Sequence, residues 1–290
     1  MYWFDTVETI PQGVGFSYYD ATHLIWIGCF VIFAVLMSLF YRKADTKTRK
    51  ILRLVTGTLI VLDEIFKWTM LFIGGNESVN YLPFHLCSIN IFLIAFHMWK
   101  PTKLLDEFLY LFCIPAAIIA LLFPTWVELP VLNFMHIHSF TVHILLATYP
   151  IMLTVGKDIK PTLKRLAKCL LLLLGMAAVV YVINILFDTN FMFLMYAEEG
   201  NPLLIFEQMW GSHLLGFPVL LPLVIALMYG VVYGVRALQK KITLLPLWLK
   251  LHRGFLYILE TYCSEEIPLI PLLFNVYIIQ KVIIALISFV

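Results

Sequence analysis

Apolar residues along this chain neither alternate nor recur on one helical face; they run on. Seven such runs, at residues 22–41, 51–73, 82–99, 104–123, 132–155, 163–187 and 212–235, have about the 20-residue length that a helix needs to cross a bilayer. Lipid offers no hydrogen bonds to a bare backbone, so each run is predicted to be a helix. The expected fold is all-α, a polytopic membrane bundle of seven transmembrane helices in residues 1–241. Beyond Lys241 the pattern changes to a Pro-interrupted apolar run, a polar patch at 260–266 and a further apolar run. Residues 242–290 therefore read as a hydrophobic appendage of unassigned role, either an extra membrane segment or an interfacial helix.

The charges between the runs sort by side. Arg42, Lys43, Lys47, Arg49, Lys50 and Arg53 crowd the first connection, Lys100 and Lys103 the third. Lys157, Lys160, Lys164, Arg165 and Lys168 occupy the fifth, and Arg236, Lys240 and Lys241 follow the seventh run. The N-terminal arm and the even-numbered connections hold no lysine or arginine, only acids such as Asp5, Glu8, Asp20, Glu77 and Glu128. By the positive-inside rule the N-terminus lies outside a cell membrane and the seventh helix ends in the cytoplasm. No basic region precedes the first run, so no cleavable signal peptide is expected.

Composition agrees with this picture. The chain is 62% hydrophobic and 13% charged, where soluble domains are nearer half and a quarter. The basic loops match topology and anionic headgroups, so membrane lipids are the expected partners and nucleic acid is not. The cysteines follow no CxxC spacing and imply no disulfide framework.

Orientation gives each ionisable residue a depth. The third run opens Leu82-Pro-Phe-His-Leu-Cys-Ser-Ile-Asn90, with Pro83 where the first turn of a helix tolerates proline. It brings His85, Cys87 and Ser88 into the outer half of the membrane. The fifth run brings His136, His138 and His143, with His143 about 10 Å deeper than His136 at ~1.5 Å per residue. The second run carries Asp63, Glu64 and Lys67, where either acid can pair with the lysine at helical spacing. His23 and His213 are expected at the membrane interface. Ionisable groups at this depth are costly and mark a functional site by default, here a polar cavity open outward.

The 82–90 string, together with Asp188-Thr-Asn-Phe-Met-Phe-Leu194 and the later Pro202, resembles the YwaF-like family of bacterial integral membrane proteins. It is similar also to a eukaryotic transmembrane acyltransferase acting on ether lipids. The resemblance covers residues 15–240 and implies a multi-pass helical bundle. From the eukaryotic relative it further implies a cysteine that carries the acyl group, with a histidine nearby. The cysteine maps to Cys87.

A thiol needs a neighbouring base or a helix N-terminus to become nucleophilic. His85, two residues away, would point to the opposite side of a regular helix, so a histidine of the fifth run is the better partner. The expected chemistry is acyl transfer or ester cleavage on a phospholipid or other acyl donor. Cys87 serves as nucleophile, and His143 or His138 as base. His85, His136, Glu64, Lys67, Asp188 and Asn190 are the expected supporting residues.

Two other classes compete. His85, Cys87, His136, His138 and Glu64 include donor types that could hold zinc for an intramembrane hydrolase, although their spacing matches no zinc signature. The acids, lysine and histidines would also suit a transporter or sensor with a charge relay. Neither cofactor nor resident metal is required by the thiol mechanism, and the sequence fixes no oligomeric state.

Overall fold

A computed structural model of the chain describes residues 2–197 and 201–262. The described residues are helical and contain no strand. The first run forms α1 (Ala21–Lys43), started by Asp20, whose carboxylate accepts from the His23 amide. Helix α2 (Thr46–Gly74) starts in the same way, with Asp45 accepting from the Thr48 amide. It stops at Gly75, whose left-handed φ of 65° suits a residue without Cβ.

Helix α3 (Leu86–His97) is shorter than expected. Pro83 does not sit in its first turn. It instead holds Leu82 in an extended conformation, with φ −57° and ψ 145°, as a residue before proline prefers. The helix starts only after His85, which is extended and supplies no side-chain cap.

Helices α4 (Lys103–Phe108) and α5 (Ile114–Leu122) are joined by a widened, π-type turn at Leu109–Cys113. Pro115, with no amide hydrogen, lies just beyond this turn and lacks the donor a regular ladder would use there. Helix α6 (Phe134–Val155) is capped by Asn133, which accepts from the amides of Met135 and His136. Helix α7 (Leu166–Phe187) ends at a left-handed Asp188, φ 53°. A short α8 (Leu203–Trp210), absent from the sequence expectation, precedes α9 (Phe217–Tyr262).

All seven expected runs are thus helical. Five segments of the described residues are long and apolar enough to cross a membrane: Ala21–Lys43, Lys103–Leu122, Phe134–Val155, Leu163–Phe187 and His213–Gln239. Helix α2 carries its charges mid-length, and α3 has only 12 residues, so these two fall short of that standard. The expected change at Lys241 falls inside the continuous α9. Compact units divide instead between Val232 and Tyr233. Residues 263–290, most of the expected appendage, lie outside the described residues.

Within the first unit α6 is the central helix, packed against α1, α2, α3 and α5. Hydrogen bonds tie the connections into two groups. At one end Arg49 donates to the carbonyls of Arg42 and Gly156 and pairs with Asp158, while Arg53 donates to the Met98 carbonyl. These contacts join the first, third and fifth connections. At the other end the N-terminal arm meets the second connection, where Asn76 donates to the Phe4 carbonyl and Asn80 to Glu8. It also meets the residues leading into α6: Asn133 donates to the carbonyls of Tyr2 and Asp5, and the Phe16 amide donates to Val127. The basic and the acidic connections therefore occupy opposite ends.

Candidate functional site

Helix α2 supplies the charged floor of the site. Lys67 Nζ lies 2.5 Å from Glu64 Oε1, and both side chains are nearly buried. Trp68 Nε1 donates to that same oxygen at 3.1 Å. Across from them, α6 places His138 between the two acids. Its Nδ1 is 3.6 Å from Asp63 Oδ1, and its Nε2 is 3.8 Å from Glu64 Oε2. Thr141, one turn on, donates to Asp63 Oδ2 at 2.9 Å. Two carboxylates and one ammonium are thus gathered around the His138 ring.

His143 lies one turn beyond His138 and 5.3 Å from Trp126, ring stacked on ring. Its Nδ1 is 2.6 Å from the Ser139 carbonyl. A carbonyl only accepts, so Nδ1 carries the proton and Nε2 keeps a free lone pair. The residue is half-buried, and Nε2 makes no hydrogen bond. Lys67 Nζ also donates to the Tyr81 carbonyl at 3.5 Å, which ties the α2 charges to the segment before α3.

That segment is held from the other side by the loop after α7. The Met192 amide donates to His85 Nδ1 at 3.3 Å, and Phe191 and Phe193 pack on the His85 ring. Asn184 and Asn190 shape this loop. Asn184 Oδ1 accepts from the Phe191 amide at 2.8 Å, and Asn190 Oδ1 from the Met195 amide at 3.1 Å. The two sequence motifs, around 82–90 and 188–194, thus pack against each other. Asp188 takes no part in the contact: it is exposed and ends α7.

Cys87 stands in the first turn of α3, beside the apolar core and half-buried. The first amide hydrogen bond of this helix runs from Ile89 to the His85 carbonyl. Among the described residues the amides of Cys87 and Ser88 bond no other residue, and the Cys87 amide faces its own sulfur, at a helix N-terminus without a side-chain cap. A helix with Pro83 in its first turn would carry Cys87 further inside; the later start leaves the amides of the first turn beside the sulfur. Among the described residues no hydrogen bond joins Cys87 Sγ to an imidazole.

Three histidines depart from expectation. His136 is fully buried and committed: its Nε2 accepts from Trp26 at 3.0 Å, and its Nδ1 donates to the Leu129 carbonyl at 3.0 Å. His23 is buried rather than interfacial, 2.7 Å from the Leu121 carbonyl and accepting from the Tyr19 amide. His213 is also buried, 4.0 Å from Glu207. With His136 removed in this way, the proposed zinc set breaks up. Among the described residues no three His, Cys, Asp or Glu side chains are arranged to hold a metal ion.

A second buried network lies at the basic end, where the sequence pointed to no chemistry. His97 bridges Tyr149 and Asp106 at 2.9 Å each, and Lys103 pairs with Asp106. Glu107 accepts from the Thr162 amide and the Tyr229 hydroxyl and pairs with Arg165. Every acceptor here is engaged, which suits an anchor between helices.

Long apolar helices, a polar cluster buried among them and basic connections gathered at one end define an integral membrane protein. Residues 18–229 match the TMEM164 family, and the chain belongs to that family of transmembrane proteins. Neither the curated proteins nor the solved structures gave a match.

Proposed function

We propose that this chain is a lipid acyltransferase or lipid ester hydrolase, with Cys87 as nucleophile and His143 as base. The observation that carries the reading is the open N-terminus of α3, where a thiol stands beside its own amide and that of Ser88, neither bonded to another described residue. Such amides suit the oxyanion of a tetrahedral intermediate. The lone pair on His143 Nε2 supplies a base of the right tautomer. The likeness to the YwaF-like family and to the ether-lipid acyltransferase points to the same cysteine.

In this mechanism the Cys87 thiol gives its proton to His143 Nε2 while Sγ bonds to the carbonyl carbon of a lipid ester. The oxyanion forms against the amides of Cys87 and Ser88. Collapse expels the alcohol, which takes the proton from His143 and leaves a thioester. A second lipid hydroxyl, or water, then receives the acyl group. Sulfur and imidazole come within reach when substrate is bound, since catalytic hydrogen bonds are often long in an unliganded enzyme. Glu64, Lys67 and His138 hold α2 and α6 together beneath the site. Asn190 and His85 position the α3 turn. The same reading has seven crossings of a cell membrane, the N-terminus outside and the site near the outer surface.

The test is lipid remodelling by the purified chain in proteoliposomes. Cys87→Ala should fall to background, and His143→Gln should lose about 10²–10⁴-fold in turnover. Full activity in Cys87→Ala overturns the proposal. A second reading, a proton relay, is favoured by the placing of His138 between Asp63 and Glu64. Solute-coupled proton flux in the same vesicles, lost in His138→Gln while lipids stay unchanged, would select it.

A further inference from the structure

An apolar groove of about 800 Å³ runs along α7, between it and the residues around α3 and α4. Phe84 and Ile89 line it on one side, Leu104 near one end, and Met176 and Val180 along α7. Phe84 stands in edge contact with Phe191. The one charged residue in the lining is Lys168, which is exposed and makes no hydrogen bond or ion pair among the described residues. Lys164, also exposed, lies four residues earlier.

Gly175 lines the groove midway along α7. A glycine inside a helix is less favourable than an alanine and suits a place where a backbone comes close or space is needed. Here no neighbour comes close: a Cβ at Gly175 would meet nothing within 4 Å. Its lack of a side chain gives the groove depth and serves no helix contact.

We propose that this groove binds one acyl chain of an anionic glycerophospholipid, with the phosphate held at Lys168. An open apolar groove with a single cation at one end, unpaired among the described residues, has the polarity of such a lipid. Twelve residues separate Lys168 from Val180, about 18 Å of helix. That compares with about 15 Å for one leaflet of a ~30 Å hydrocarbon core. The lipid belongs to the leaflet on the side of the basic connections. Its binding does not depend on Cys87 being a nucleophile.

The experiment uses the full chain in vesicles of phosphatidylcholine and phosphatidylglycerol, with a trace of either lipid carrying a photoactivatable acyl chain. Phosphatidylglycerol label should concentrate on peptides covering 84–89 and 171–180. Gly175→Trp should abolish that labelling and Gly175→Leu reduce it, with helix content unchanged because the space is open. Lys168→Glu should weaken phosphatidylglycerol labelling by at least about five-fold and leave phosphatidylcholine labelling as it was. Equal labelling by both lipids overturns the proposal. So does label spread evenly over the exposed faces of α1 and α7, label that survives Gly175→Trp, or cross-links between two chains in place of lipid.

Discussion

Lys67 and Glu64 show what a buried charge demands of its neighbours. Each is nearly sealed from solvent, and each would be left uncompensated without the other. Removing one partner of such a pair costs about 3–5 kcal/mol, whereas replacing both by apolar groups of similar size is often neutral. Lys67→Met alone should therefore lower unfolding stability in detergent by about that amount. The double variant Lys67→Met, Glu64→Leu should recover much of the loss. A double variant as unstable as the single one would mean that the pair does not hold α2 in place. His143 and His136 make a related point. They lie on one helix in similar chemical company, yet His136 spends both ring nitrogens on Trp26 and Leu129, while His143 spends only one. Only the second is left with a base to offer.

Close approach decides how α2 meets the end of α3. A Cβ at Gly57 would stand 2.6 Å from Met98 Sδ and 3.0 Å from Met98 Cβ. Small residues let membrane helices approach in this way. Gly57→Val should separate the helices and weaken the Arg53 bond to the Met98 carbonyl. It should destabilise the fold by about 1–3 kcal/mol, the usual range for overpacking, read as a lower thermal midpoint. An unchanged midpoint would show that Met98 swings aside freely.

The same scale explains what the sequence could and could not disclose. Helices α1, α6 and α7 were legible almost to the residue because unbroken apolarity needs no tertiary help to be read. Pro83 suits a first helical turn in the sequence, but its stronger effect is to extend the residue before it, so α3 starts later. Helix α8 is illegible in the sequence because eight residues are too few to show a period. The tasks of His23 and His136 were illegible for another reason: their partners Leu121 and Trp26 lie 98 and 110 positions away in the chain. The ionisable groups that cluster between α2 and α6 are legible in the sequence, since a charge or imidazole within an apolar run stands out by itself.

For the whole molecule, the division of the connections into a basic and an acidic end fixes what must be on one side together. The proposed topology has the N-terminus outside and predicts that Gly13→Cys, in a background free of native cysteines, reacts with an impermeant maleimide on intact cells. Lys47→Cys should react only after permeabilisation; the reverse result would invert the topology and move the site to the inner leaflet. The central claim concerns what Cys87 does once a lipid arrives. The most direct measurement is mass spectrometry of the Cys87 peptide after brief exposure of the purified chain to a phospholipid with a labelled acyl chain. The account predicts the labelled acyl group on Cys87 as a hydroxylamine-sensitive thioester that builds up in the absence of an acceptor. Lipid turnover with Cys87 unmodified at every time point would contradict it.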